Sequence, residues 1–263
     1  MSVKSKGYPA TAVSTWSGYV YQGKIALYHS LKLIHQGDLD FELQLDSSDD
    51  FAIYKSGALV SAHQVKAKIG TYKSEYIEAL EKSSAVEYDR VKGVSRYFHV
   101  SVQLNDTDDY TGNNNELVKF YSYGNNKYCG LGEIEGLTKA VIKEICSSNS
   151  ILLTDELLHY NYCLLSEKIS TQAVAIHRMV QVDREKANKS AYESRITAQS
   201  LIDDIVNKNP YNNTEYYAID LKAKLHSHLE DRLDQALPGM SDASYGRARR
   251  LFEHIRDSEA SDM

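Results

Sequence analysis

The spacing of apolar residues alternates between two periods along this chain, and that alternation limits the possible folds more than any other feature. Over residues 17–35 apolar side chains recur every three or four positions, as Val20, Leu27 and Leu31 do, which predicts a helix. In the segment DFELQLD, residues 40–46, apolar and polar residues alternate instead, which predicts a strand. From about residue 133 onward the spacing is helical throughout. We therefore expect a mixed α/β first half and a helical second half.

Short strand-forming segments follow the first strand at close intervals. The further elements expected in the first half are strands over 51–54 and 58–67 joined by a KSG turn, a helix over 72–92, a strand over 97–104, and a last strand or hairpin within 119–130. The helices expected in the second half lie near 133–146, 154–181, 190–208, 214–236 and 243–257. We place a domain boundary near residue 148, between an α/β domain over 1–148 and an all-α domain over 149–263.

Cysteine usage and hydropathy restrict the class of protein. The three cysteines, Cys129, Cys146 and Cys163, form no CxxC pair, so neither a disulfide framework nor a zinc site is expected. The sequence has no run of about 18 apolar residues and no secretory signal pattern. We therefore expect a cytoplasmic protein without a membrane span.

Charge is distributed unevenly along the chain. The formal net charge is −6, yet residues 1–100 contain 12 Lys and Arg against 11 Asp and Glu, so the acidic excess belongs to the remainder. A nearly neutral first half binds DNA weakly by itself, because neutralisation of phosphates supplies most non-specific affinity. Any activity on DNA is therefore expected to need an oligomer or a partner.

The arrangement with the clearest chemical meaning is Asp50 followed by Gln64 and Lys66. Gln64 and Lys66 are two residues apart on one expected strand, so their side chains share a face. A hairpin can bring Asp50 beside them. A carboxylate, an amide oxygen and an ammonium group then converge, and these groups can bind Mg²⁺ and hydrolyse a phosphodiester.

A simpler interpretation is that these polar residues are solvated side chains. Two observations favour a site. The strand ALVSAHQVKA is apolar enough to be central, and a lysine that is partly buried without a purpose is rare. Glu42 and Asp46 also add carboxylates on the polar face of the neighbouring strand, whereas His63 faces away from Gln64 and is expected to be a packed side chain.

The ordered set of these residues resembles the PD-(D/E)xK nucleases in their QxK variant. It is more similar to the double-stranded-DNA endonuclease domain of CBASS effectors, which also occurs in ABC-three-component and Lamassu anti-phage systems. The matching segments are Gly18-Tyr19-Val20-Tyr21-Gln22, Glu42, Asp49-Asp50-Phe51 and His63-Gln64-Val65-Lys66. The resemblance covers roughly residues 14–100, and it implies a restriction-endonuclease-like α/β core.

The resemblance also implies roles for individual residues. Asp50 would be a metal-binding carboxylate, and Gln64 would be a second ligand through its amide oxygen. Lys66 would orient water and neutralise the transition state. Glu42 would be a further catalytic and metal-binding residue, with Gln22 in a supporting role. Mg²⁺ or Mn²⁺ would be the cofactor.

The function implied by the resemblance is that of a defence effector that cuts double-stranded DNA. In the similar systems such subunits accompany an SMC-like ATPase and an accessory subunit, and we expect residues 149–263 to bind such partners and to support a homo-oligomer in the active state. Two alternatives stay open. One is a non-catalytic DNA- or protein-binding scaffold with a nuclease-like fold, and the other is cleavage of RNA.

Overall fold

The computed structural model describes residues 13–45, 49–84, 93–113, 115–182, 194–208, 232, 241 and 244–250. Residues 1–206 form one compact unit, and residues 207–263 form a second. Within the second unit, residues 244–250 are helical. The first unit contains the sheet and all candidate residues named above.

A seven-stranded mixed sheet is the centre of the first unit. Its strands are β1 (Glu42–Leu45), β2 (Phe51–Lys55), β3 (Ala58–Lys66), β4 (Ser95–Val100), β5 (Tyr110–Thr111), β6 (Leu117–Phe120) and β7 (Ile196–Thr197), arranged in the order β5-β6-β4-β3-β2-β1-β7. β3 is thus the central strand, as its apolar character predicts. β1, β2 and β3 form an antiparallel meander, whereas β3, β4 and β6 run parallel.

The helices of this unit precede, separate and follow the strands along the chain. They are α1 (Val13–His35), a 3-10 helix (Lys73–Tyr76), α2 (Ile77–Ser84), α3 (Ile134–Ser148), α4 (Asp155–Val182) and α5 (Ala198–Val206). Gly37, with φ of 84°, follows α1 and donates its backbone N–H to the carbonyl of Ile34 at 2.9 Å. A left-handed glycine of this kind is a common way to end a helix.

The β2–β3 hairpin has a two-residue turn that the sequence specifies. Ser56 and Gly57 both have positive φ, 47° and 79°. Such turns match the twist of the strands that they join, and glycine adopts this conformation without strain. Beyond the turn the register shifts by one residue between Ile53 and Tyr54, and the resulting pairing of Phe51 with His63 places the residue before β2 opposite Gln64.

Each face of the sheet is covered by a different set of helices. One face, which includes Leu43, Phe51, Ile53 and Val65, packs with buried residues of α1, α3, α4 and α5 in the main core. The other face carries Phe98 and Phe120, which pack with Tyr76 and Leu80 from the 3-10 helix and α2. Gln64 and Lys66 belong to the second face, because their positions alternate with that of Val65.

The strands expected in the first half are confirmed with small shifts in their bounds, and the helix expected over 72–92 is confirmed over 73–84, with residues 85–92 outside the described residues. Beyond them, β7 pairs with β1 inside the segment for which a helix over 190–208 was expected, so the described part of residues 149–208 is not entirely helical. This pairing joins segments about 150 residues apart, which local spacing cannot reveal. The helix expected over 214–236 lies outside the described residues except for residue 232, which is helical.

The boundary expected near residue 148 falls between two helices of the same compact unit. α3 ends at Ser148, and both α3 and α4 contribute residues to the core that α1 shares. The division into a nuclease domain and a partner-binding domain therefore stays a prediction. None of the helices in the described ranges is both long and apolar enough for a membrane span.

Candidate active site

The centre of the candidate site is a hydrogen-bonded pair across the β2–β3 hairpin. Gln64 donates its side-chain Nε2 to Asp50 Oδ2. The backbone N–H of Val65 donates to the same oxygen at 2.6 Å. The expectation that the hairpin brings Asp50 beside Gln64 is thereby confirmed, and Lys66 follows Val65 as the last residue of β3. The cluster lies where β3 ends and β2 begins, at the edge of the sheet that also holds the carboxyl end of the parallel strand β4.

Asp49 is a second carboxylate at this edge. It is buried, with 6% of its surface exposed, and its Oδ2 accepts a hydrogen bond from Ser83 Oγ of α2 at 3.2 Å. Asp49 Oδ1 is also buried and has no hydrogen-bond partner among the described residues. Ser83 is buried, and the exposed Lys82 precedes it. The end of α2 therefore completes the site on the face of the sheet that carries Gln64.

The two carboxylates are in an environment that disfavours their charged forms. Burial, with a contribution from the charge of Asp50, raises the pKa of Asp49 to about 6. Burial also raises the pKa of Asp50, and the hydrogen bond from Val65 opposes this shift. The positive charges of Lys66 and Lys82 lower the pKa of both groups. The site thus holds two partly desolvated carboxylates with two cations close by, a combination typical of functional sites.

Glu42 is not part of this cluster. It pairs with Tyr54, which lies four residues beyond Asp50 on β2, a separation of about 13 Å along a strand. Its carboxylate instead accepts a hydrogen bond from Arg195 Nη1 at 2.8 Å, and the Arg195 guanidinium lies 3.7 Å from the centre of the Tyr54 ring. The geometry therefore gives Glu42 a structural contact with the residue that precedes β7, rather than the metal-binding position expected from the resemblance.

Gln22 is half-buried on α1, the helix that covers the other face of the sheet. No hydrogen bond found among the described residues joins it to Asp50 or Gln64, and its supporting role stays a prediction.

Gln44 is a closer polar neighbour on the sheet. It pairs with Ala52, two residues from Asp50, and its side chain is buried with an unpartnered Oε1 in the described structure. Asp46 lies outside the described residues.

The donors at this edge fit a small divalent cation. No group of three or more His, Cys, Asp or Glu side chains suited to a metal ion occurs among the described residues. Asp49, Asp50 and the amide oxygen of Gln64 nevertheless form a set of hard oxygen donors, and the buried Asp49 Oδ1 has no other partner. Mg²⁺ commonly binds one or two protein carboxylates and keeps several waters, so this set is sufficient for it.

Asp49, Lys82 and Ser83 are the site residues that sequence reasoning did not assign. Asp49 belongs to the Asp49-Asp50-Phe51 segment of the resemblance, but alternation along a strand assigns only Asp50 to the face of Gln64. A helix that connects two parallel strands is expected to cross one face of the sheet. That rule places α2 over this face without specifying which of its side chains reach the site.

A second buried polar cluster lies on the opposite face of the sheet. His63 Nδ1 is 3.0 Å from His99 Nε2, and His99 Nδ1 is 2.6 Å from the hydroxyl of Tyr123. His29 Nδ1 lies 3.0 Å from the hydroxyl of Tyr121. Burial is the main cause that lowers the pKa of all three histidines, to about 3 for His29. The expectation that His63 is a packed side chain is confirmed.

Comparison with known proteins gives one assignment. Residues 118–263 match the model of C-terminal domain 1 (CTD1) of the ABC-three component (ABC-3C) systems, and this segment is more than half of the chain. The chain belongs to the CTD1 family of ABC-3C systems. These systems act in defence against phages. No curated protein and no solved structure matches the chain significantly.

The CTD1 match begins at Val118, inside β6, and so includes the sheet strands β6 and β7 as well as α3, α4 and α5. Asp49, Asp50, Gln64 and Lys66 precede the matched segment. Membership in the ABC-3C family therefore assigns the chain to a system of several components, and the chemistry of the site rests on its own geometry.

Proposed function

We propose that this ABC-3C protein is the metal-dependent nuclease of its system and that it cleaves double-stranded DNA at the Asp49–Asp50–Gln64–Lys66 cluster. The observation that carries the proposal is the convergence of the buried Asp49 carboxylate, the half-buried Asp50 carboxylate and the Gln64 amide with Lys66 at one edge of the sheet. A scaffold has no need for such a cluster, because buried polar groups without partners are destabilising.

The charges of the cluster suit hydrolysis of a phosphodiester. In this reaction water adds to phosphorus and one ester oxygen leaves, while negative charge builds on the phosphate oxygens. Lys66 and Lys82 supply positive charge in a partly desolvated site, where such stabilisation is strongest.

The proposed cofactor is Mg²⁺ or Mn²⁺, held by Asp49, Asp50 and the Gln64 amide oxygen. When bound, the ion supplies acidification of the attacking water and neutralisation of phosphate charge. Asp50 is already oriented for this task, because one of its oxygens accepts two hydrogen bonds and its direction is fixed. Lys66, half-buried at the end of β3, acts beside it on the substrate phosphate.

We also propose that the protein acts in the cytoplasm and that partner subunits control its activity. The chain carries a net charge of −6, and its first 100 residues are nearly neutral, so it holds DNA weakly by itself. We propose that an SMC-like ATPase and an accessory subunit keep the protein inactive until foreign DNA is sensed, and that copies then associate so that both strands are cut. The resemblance described above and membership in a three-component family support this control.

The test is cleavage of supercoiled plasmid by the purified chain at rising concentration, with and without its partner subunits, in Mg²⁺ and in EDTA. We expect cleavage in Mg²⁺ that rises more steeply than linearly with concentration and that stoichiometric partner suppresses. A structured RNA in a parallel reaction distinguishes the ribonuclease alternative. Absence of metal-dependent cleavage of either substrate under all of these conditions would leave the scaffold alternative in its place.

A further inference from the structure

The loop of residues 67–72, here called the Ile69 loop, connects β3 to the 3-10 helix and exposes an apolar side chain. Ile69 has 94% of its surface exposed, the largest fraction among the large hydrophobic residues of the described structure. Tyr72 in the same loop is 61% exposed. A single exposed apolar residue is ordinary, so the argument depends on how this loop is held and where it lies.

Hydrogen bonds fix the backbone on both sides of Ile69. The carbonyl of Lys68 accepts a bond from Ser101 Oγ at 3.0 Å, and the carbonyl of Gly70 accepts one from the hydroxyl of Tyr76 at 2.7 Å. The carbonyl of Thr71 accepts the backbone N–H of Asn105 at 2.9 Å. Because three successive anchors surround it, Ile69 is held in its exposed position rather than carried on an unsupported loop.

The Ile69 loop lies beside the candidate active site. It begins directly after Lys66, the last residue of β3, so the Cα atoms of Lys66 and Ile69 are at most about 11 Å apart. The backbone N–H of Ser101, which follows β4, donates to the carbonyl of Lys66 at 3.3 Å. A long polymer that reaches Lys66 at this edge of the sheet must therefore pass close to Ile69.

The chemistry of the loop favours a nucleic acid over a protein as the group that covers Ile69. A stable protein interface generally buries more than about 1,000 Å², and one isoleucine with one tyrosine contributes only a small part of that area. The neighbouring exposed Lys68 adds a positive charge beside the loop, with its ammonium 3.4 Å from the carbonyl oxygen of Glu75. An isoleucine makes no favourable contact with phosphates, whereas it can insert between stacked base pairs and contact their apolar faces.

We propose that Ile69 inserts between base pairs of the duplex next to the cleaved phosphodiester, with Tyr72 supporting it. This inference rests on the proposed function, because it takes the Lys66 site as the point at which DNA is cut. Its consequence is that the protein binds double-stranded DNA through local unstacking of a base step, beyond contacts with phosphates. Substrate duplexes with easily unstacked steps are then preferred.

The experiment uses the full chain with short duplexes that contain 2-aminopurine at successive positions, in Ca²⁺ to prevent cleavage. The fluorescence of this base rises when it is unstacked, and anisotropy of an end label reports affinity. Ile69→Ser is compared with Leu152→Ser, a matched control at an 86% exposed leucine between α3 and α4. We expect the wild type and Leu152→Ser to give the fluorescence rise, and Ile69→Ser to lose it and to bind about 10-fold more weakly.

The outcomes separate this inference from the proposed function. Lys66→Ala should keep both binding and the fluorescence rise while it loses cleavage. A wild type that unstacks DNA without cutting it contradicts the proposed function alone. If Ile69→Ser and the wild type show equal affinity and equal fluorescence, the inference alone is overturned. A change in the oligomeric mass of Ile69→Ser with unchanged DNA binding also overturns it. A wild type that binds no duplex overturns both.

Discussion

Gln64 and Asp50 lie opposite each other across the β2–β3 pair, and the side-chain nitrogen of Gln64 donates a hydrogen bond to Asp50 Oδ2. The backbone N–H of Val65 donates to the same oxygen. The orientation of the carboxylate is thus set by rigid strands before any ligand arrives, which is what a precise site requires. The amide oxygen of Gln64 is then available for a further contact.

Binding of a divalent cation should be measurable without any assay of activity. We expect Mg²⁺ at ten times its Kd to raise the free energy of unfolding of the wild type by about 1.4 kcal/mol, because only the folded chain holds the ion. Asp50→Asn should lose this stabilisation. Asp108→Asn, which changes an exposed carboxylate, is the control and should respond as the wild type does. The measurement is chemical unfolding over a range of Mg²⁺ concentrations, and an equal response of all three proteins would argue against the site.

Asp49 should lower the stability of the metal-free protein at neutral pH. Its pKa in the folded state is about 6, above the usual value of 3.8, so the folded chain binds the extra proton between these values. The stability that this proton provides is present at low pH and is lost as the pH rises through about 6. We expect Asp49→Asn to be more stable at pH 7.5 by about 2–3 kcal/mol, with no difference near pH 3.5.

The measurement for Asp49 is urea unfolding in EDTA from pH 3.5 to 7.5, with Asp108→Asn as the matched control. A constant difference between Asp49→Asn and the wild type across this range would contradict the titration of Asp49. Asp49→Asn should also lose the stabilisation by Mg²⁺, so the substitution exchanges function for stability.

The buried histidines should make the protein sensitive to acid. The pKa values of His29, His63 and His99 are lowered by burial, so the folded chain resists protonation while the unfolded chain takes up protons below pH about 6.5. Stability is therefore complete above this pH and falls by about 1.4 kcal/mol per histidine for each pH unit below it. Below pH 6 the folded chain takes up a proton on Asp49, and the stability gained in this way offsets the loss caused by one of the histidines.

His29→Gln tests this account through the slope of stability against pH rather than through stability itself. The substitution removes one titrating group, so the slope of the free energy of unfolding between pH 6.5 and 5 should fall by about 1.4 kcal/mol per pH unit, which corresponds to one proton. The measurement is the urea midpoint at each pH, and His177→Gln, at an exposed position on α4, should keep the original slope. A wild type with flat stability from pH 7 to 5 is incompatible with the buried cluster.

The central part of the fold could be predicted because its signals are local. The alternation in residues 40–46 predicts β1, and KSG predicts the hairpin turn. The same alternation places Gln64 and Lys66 on one face, whereas the alignment of Asp50 with Gln64 also depends on a register shift between Ile53 and Tyr54 that local spacing does not indicate. The strand, the turn and the shared face depend only on neighbouring residues and on the period of two along a strand.

The remainder of the site depends on register and on distant segments. Glu42 follows the correct face of β1, yet the register with Tyr54 places it at the far end of the hairpin, where Arg195 binds it. The positions of Ser83 and Lys82 depend on how α2 crosses the sheet. The pairing of β7 with β1 joins segments about 150 residues apart, so no local pattern could indicate it.

The most direct test of the central claim is the rate of plasmid cleavage in Mg²⁺ by Lys66→Ala, with Lys143→Ala as the matched control. Lys143 is an exposed lysine on α3, and the helix lies on the other face of the sheet. Loss of a charge that stabilises the transition state should slow cleavage on the order of 100-fold or more. We expect that loss for Lys66→Ala, with an unchanged melting temperature, and the wild-type rate for Lys143→Ala. Cleavage by Lys66→Ala at the wild-type rate would contradict the account.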